Sequence, residues 1–71
     1  MDLHKLEVFL TVADYLNFTR AGEDLGYTQS GITHMMKSLE KEIGFPLFIK
    51  NHHGVTLTQE AENLLPSIRS L

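Results

Sequence analysis

With 71 residues, no cysteine, and nine acidic against six basic side chains, the chain is expected to form one small domain. Its stability must come from helix packing, a partner subunit or a larger parent chain, because no disulfide can form. No stretch is long and apolar enough to span a membrane, and Met1 opens no charged-then-apolar signal segment, so a soluble cytoplasmic protein is expected.

Leu3, Leu6, Phe9, Leu10 and Ala13 recur at helical spacing behind Asp2, a candidate N-cap, and the first helix is expected to end near Tyr15 or Leu16. Thr19 is the candidate cap of a short second helix, with Ala21 and Leu25 inward and Gly26 as its stop. Thr28 caps a third helix whose Ile32, Met36, Leu39 and Ile43 form a buried stripe, ended by Gly44 and Pro46. Two helices joined by so short a glycine-containing turn are a helix-turn-helix candidate. The period then changes: Leu47, Ile49, Val55 and Leu57 alternate with Phe48, Lys50 and Thr56 around Asn51-His52-His53-Gly54, the pattern of a β-hairpin. Thr58 caps a fourth helix carrying Ala61, Leu64, Leu65 and Ile68, in which Pro66 is expected to kink or end the helix. The apolar pattern runs to Leu71 without a stop signal, so the chain reads as the front of a longer one.

The net charge of −3 weighs against a nucleic-acid partner, but the placement of charge weighs the other way. On a wheel of about 100° per residue, the side of the third helix opposite its apolar stripe carries Ser30, Thr33, His34, Lys37 and Lys41, with Gln29 at the flank. Glu40 and Glu42 fall to either side of this face. It holds hydrogen-bond donors and two fixed cations, with no carboxylate at its centre. A face meant only for water would more often mix Glu with Lys.

An α-helix fills the major groove of DNA and presents its N-terminal residues to base edges. Gln29 matches adenine N6 and N7, Thr33 matches a hydroxyl partner or a thymine methyl, and His34 matches guanine N7 or O6. Lys37 and Lys41 suit phosphates, and the hairpin would act as a wing, with Lys50, Asn51, His52 and His53 near phosphates or the minor groove. The alternatives are an ordinary polar turn for the hairpin, a merely solvated third-helix face, and an interaction module that binds protein. Gly31 reads first as a tolerated weak helix start and second as a site of close backbone approach to DNA. Met35 and Met36 read as core edge and core, Tyr15 and Tyr27 as packing residues at helix ends, and His4 as a surface residue. No catalytic constellation, phosphate loop or metal-ligand spacing is found: His52 and His53 are adjacent and so point apart, with no cysteine or carboxylate beside them.

The run Phe18-Thr19-Arg20-Ala21, then Leu25, Thr28-Gln29-Ser30, Leu39-Glu40, Ile43-Gly44, Pro46-Leu47-Phe48 and Leu57-Thr58 resembles the N-terminal DNA-binding domain of LysR-type transcriptional regulators. The resemblance extends from Leu3 to about Leu65. It implies a mainly α fold: a winged helix-turn-helix over residues 1–58, with a three-helix core and hairpin wing, and the start of a linker helix over 59–71. It implies double-stranded DNA as partner, read by residues matching Gln29, Ser30, Thr33 and His34. Thr19, Thr28, Lys37, Lys41, Lys50, His52 and His53 are assigned to the DNA backbone and the wing. It further implies a homodimer through paired linker helices, commonly a tetramer in the full-length protein, and a small-molecule effector held by a C-terminal domain absent from this chain. No cofactor, metal or enzymatic activity is implied for this domain. Family members usually carry Arg where His34 stands, often Arg where His52 and His53 stand, and often Pro-Ala where Ser30-Gly31 stands. Histidine lacks the bidentate guanidinium fork and its permanent charge. With histidines in these places, affinity is expected to rise as pH falls from about 8 to about 6, because protonation adds cations near phosphates.

Overall fold

Each helix begins where a short polar side chain takes up an amide that has no partner within the helix. The computed structural model describes residues 2–71. Its elements are α1 (Leu3–Tyr15), α2 (Phe18–Leu25), α3 (Gln29–Ile43), β1 (Phe48–Asn51), β2 (Gly54–Leu57) and α4 (Gln59–Arg69). Asp2 accepts from His4 N at 2.9 Å, Thr28 from Gly31 N at 3.0 Å and Thr58 from Ala61 N at 3.2 Å, as the sequence predicts. The cap of α2 differs. It is Asn17, extended at φ −158°, whose Oδ1 accepts from Arg20 N at 3.0 Å; Thr19 lies inside the helix. Phe18 is therefore the first helical residue, and its buried ring anchors the start of α2 in the core.

Val8, Phe9, Val12, Ile32, Met36, Leu39 and Leu47 are the largest fully buried side chains. The stripe predicted for α1 is shifted: Leu3 is 67% exposed, whereas Val8 and Val12 are fully buried. The reason is that α1 packs against α2, α3 and α4 together, so more than one of its sides is apolar. Polar ties reinforce this arrangement. Lys5 Nζ donates to Ser38 Oγ at 2.8 Å and to Glu42 Oε1 at 2.9 Å, joining α1 to the end of α3.

The predicted hairpin forms as an antiparallel pair with Phe48 opposite Leu57 and Lys50 opposite Val55. In β1 the inward face is the reverse of the expected one: Ile49 is 55% exposed, and Phe48 turns inward. Aromatic packing decides this, since the Phe48 ring lies 5.6 Å from that of Phe9 and edge-on to Phe18 at 5.5 Å. Val55 N donates to Leu16 O at 3.3 Å, which attaches β2 to the end of α1. Leu16 itself sits in the left-handed region at φ 51°, closing α1 with a bond from its N to Val12 O. At Gly54, φ is 134° and a Cβ would fall 2.7 Å from Leu16 O, so only glycine fits this junction.

Thr58 is buried, and its hydroxyl donates to Pro46 O at 2.7 Å while capping α4. One side chain thus ties the base of the hairpin to the next helix. Pro66 does not end α4, which continues to Arg69. Proline removes the bond to the Glu62 carbonyl, but both residues are exposed, so water can satisfy that oxygen.

Candidate nucleic-acid interface

The α2–α3 turn sets the angle at which α3 leaves the core. Tyr27 N donates to Gly22 O at 2.8 Å, and a Cβ on Gly22 would lie 2.5 Å from Tyr27 O. No side chain fits between the two helices at this point. The two tyrosines expected to pack are about two-fifths exposed and serve as hydrogen-bonding groups. Tyr27 Oη and His4 Nε2 are 2.7 Å apart, linking the turn to α1. Tyr15 Oη donates to Asp24 at 3.0 Å, and that bond, with the carboxylate's charge, holds the phenol above its ordinary pKa.

With this turn fixed, Gln29, Ser30, His34 and Lys37 are exposed and Thr33 is half-buried. Together they border a shallow depression of about 550 Å³ that no carboxylate lines. Beside it a narrower cleft of about 200 Å³ runs between α3 and the hairpin, with Phe18, Met36, Phe48 and Val55 along its walls and Thr33, Lys37, Glu40 and Lys50 as its polar residues. Thr19, Gln29 and Lys50 share a third depression where α2, α3 and the hairpin meet. The structure therefore gathers Thr19, Gln29, Ser30, Thr33, His34, Lys37 and Lys50 into one continuous surface. Lys41, in the last turn of α3, and His52 and His53, at the hairpin tip, are exposed but border none of these depressions. Thr28 Oγ1 is held as the α3 cap and lies 3.4 Å from Ser30 Oγ. At Gly31 a Cβ would approach that same hydroxyl to 3.2 Å, so smallness there protects the cap.

Sequence reasoning leaves Glu40 aside, yet it is the residue that ties α3 to the wing. Its Oε2 accepts from Leu47 N at 2.7 Å and from Phe48 N at 3.4 Å, and its Oε1 is 4.0 Å from Lys37 Nζ. No local pattern marks this role, because its partners are backbone amides beyond the Gly44–Pro46 stop. The arrangement also eases the charge problem: the carboxylate that lines the cleft with Lys37 and Lys50 has its charge turned onto two amides.

Residues 3–62 match the family model described as bacterial regulatory helix-turn-helix protein, lysR family. Among curated proteins, the chain is 37% identical over 71 residues to the HTH-type transcriptional regulator CzcR of Bacillus anthracis, covering all of this chain and 25% of that protein. It thus spans about a quarter of the length of the curated relatives it matches. Among solved structures, it is similar to the CbnR_DBD–DNA complex, with TM-score 0.92 and 31% identity over 99% of this chain and 80% of the other. It is also similar to the BenM_DBD/catB site 1 DNA complex, with TM-score 0.90 and 26% identity over 99% and 75% of the two chains.

Proposed function

The chain belongs to the LysR family of bacterial regulatory helix-turn-helix proteins, and from that premise we propose that it binds duplex DNA sequence-specifically, with α3 in the major groove and the hairpin as a wing on the backbone or minor groove. The observation that carries this reading is the carboxylate-free depression on the exposed half of α3, bordered by Gln29, Ser30, Thr33, His34 and Lys37. Donors and cations at the N-terminal end of a helix match the acceptors and phosphates of a groove. Two similar structures are complexes with DNA, which adds support.

In this reading Gln29, Ser30, Thr33 and His34 meet base edges. Thr19, Thr28, Lys37, Lys41 and Lys50 meet the backbone, with His52 and His53 at the wing tip. α4 is the start of a linker helix that pairs with that of a second subunit, and a small-molecule effector acts through a further domain. The domain itself is a binding module without catalytic activity or cofactor. The protein-binding alternative is less well supported, because the outward side of α3 offers polar side chains where a protein interface would favour aromatics. Among the described residues no helix is long and apolar enough to cross a membrane.

Selection of bound sites from random duplexes, using the intact protein, tests the proposal. Enrichment of a dyad-related motif is the expected result. Equal retention of all duplexes would reject sequence-specific binding.

A further inference from the structure

Resting on the DNA-binding reading, we propose that Glu40 is a positioning residue that aims the wing at DNA and sets its distance from α3. The two DNA-facing elements are sparsely joined to each other. A cleft of about 200 Å³ runs between α3 and the hairpin, and among the described residues no backbone–backbone hydrogen bond links them. The hairpin is held from its other sides. Val55 N donates to Leu16 O at the end of α1, and Thr58 N donates to Leu47 O at the base of α4. The Phe48 ring packs on Phe9 and Phe18. Among the described residues, the hydrogen bonds that cross from α3 to the root of the hairpin are those of Glu40 Oε2, from Leu47 N at 2.7 Å and Phe48 N at 3.4 Å.

Burial of the Leu47 side chain keeps the root of β1 in the core, but apolar packing is non-directional. A charged acceptor on the Leu47 amide fixes the direction in which the strand leaves. Glu40 is placed to do this. Its side chain is only 17% exposed, and its backbone oxygen accepts from Gly44 N at 2.8 Å. The one residue thus closes α3 at the start of the chain reversal and grips the strand at its end. The lever beyond that grip is long. From Phe48 to His52 the chain extends about 13 Å, so a tilt of about 15° at the root displaces the tip by about 3 Å. No hydrogen bond to DNA survives such a shift. The wing side chains Lys50, His52 and His53 would lose their contacts, whereas Gln29 and His34, on the forward half of α3, would keep theirs.

A double-mutant cycle on the intact protein tests this, with affinity for its selected duplex measured at a pH of about 6, where the histidines carry charge. Lys50→Ala/His52→Ala/His53→Ala strips the wing of its cations and is expected to weaken the parent about tenfold or more. In Glu40→Ala the same three changes are expected to cost about twofold or less, because the wing is already misplaced. Gln29→Ala/His34→Ala, in α3, is expected to cost the same in both backgrounds to within about twofold, the limit of additivity for independent sites. Glu40→Gln keeps an acceptor and is expected to restore the full cost of the wing changes. If Glu40→Ala does not fold, Glu40→Asp takes its place in the cycle, with the same charge, a reach one methylene shorter and the same expected direction. The inference is overturned if the wing changes cost as much in that Glu40 variant as in the parent, or if they cost the parent nothing while the α3 changes do. It is overturned equally if the α3 changes lose their cost as well, since that marks a general loss of structure. If neither set of changes weakens the parent, the DNA-binding reading itself fails.

Discussion

The two halves of α3 use similar side chains for opposite purposes. From Gln29 to Lys37 the polar groups lie on open surface, with contacts no closer than 3.4 Å among Thr19, Gln29, Thr28 and Ser30. From Ser38 to Glu42 all but the exposed Lys41 are engaged: Ser38 and Glu42 with Lys5, and Glu40 with the first amides of the wing. The forward half is available to a ligand, and the rear half fastens the helix to α1 and the hairpin. A polar residue on one helix is therefore functional or structural according to what the rest of the chain brings to it. Charge counted along the sequence overstates the repulsion that a DNA phosphate would meet.

Substitutions can break this contrast. Glu40→Ala should cost the most, about 2 kcal/mol, because it deprives the Leu47 amide of a charged acceptor. Chemical denaturation reads this directly, and Glu40→Gln, which keeps an acceptor, should recover much of the loss. A Glu40→Ala protein as stable as the parent would show that the rear half is not fastened this way. In the forward half, Lys37→Ala should leave stability within about 0.5 kcal/mol. It should flatten the salt dependence of DNA affinity by about one unit in log–log slope, which is about a fourfold difference between roughly 50 and 200 mM salt. A slope equal to the parent's would mean that Lys37 touches no phosphate.

The pH dependence follows from His34, His52 and His53, all exposed. A complex in which imidazolium lies near phosphate holds more protons than the free protein, so affinity should rise as pH falls from about 8 to about 6, by about fivefold or more. Titrations at fixed salt that show no trend would remove these histidines from the interface. The smallest effect belongs to Arg69→Ala. Its pair with Asp14, at 3.2 Å, has both partners more than half exposed, and its loss should change stability by no more than about 0.5 kcal/mol.

Local chemistry is legible in the sequence where the deciding partner is a near neighbour. Asp2, Thr28 and Thr58 cap the helices expected of them, Gly26 and Gly44 close α2 and α3, and the hairpin turns at the predicted residues. Where the partner is distant in sequence, the periodic pattern misleads. It puts Leu3 inward and misses Val8 and Val12, because a helix packed on several sides has no single stripe. Ile49 and Phe48 exchange faces because the aromatic pocket of Phe9 and Phe18 comes from other helices. The cap of α2 falls to Asn17, while Thr19, the expected cap, lies inside the helix. Glu40 shows no sign of its role, since its acceptor oxygen meets amides that follow a chain reversal. Of the surface that gathers around α3, the residues on the helix itself emerge from periodicity, whereas the contact of Thr19 with Gln29 requires the fold.

The bond from Val55 to the end of α1 has a consequence for how the wing moves. A two-stranded hairpin alone is marginal in water, so this one takes its rigidity from the helix that Leu16 terminates. Amide hydrogen exchange should therefore be graded along β2. The Val55 proton should be lost only when the helical core opens, while protons at the His52–His53 tip should exchange through local fraying. A wing built this way has a stiff root and a compliant end, able to follow variation in groove width without disturbing the helix beside it.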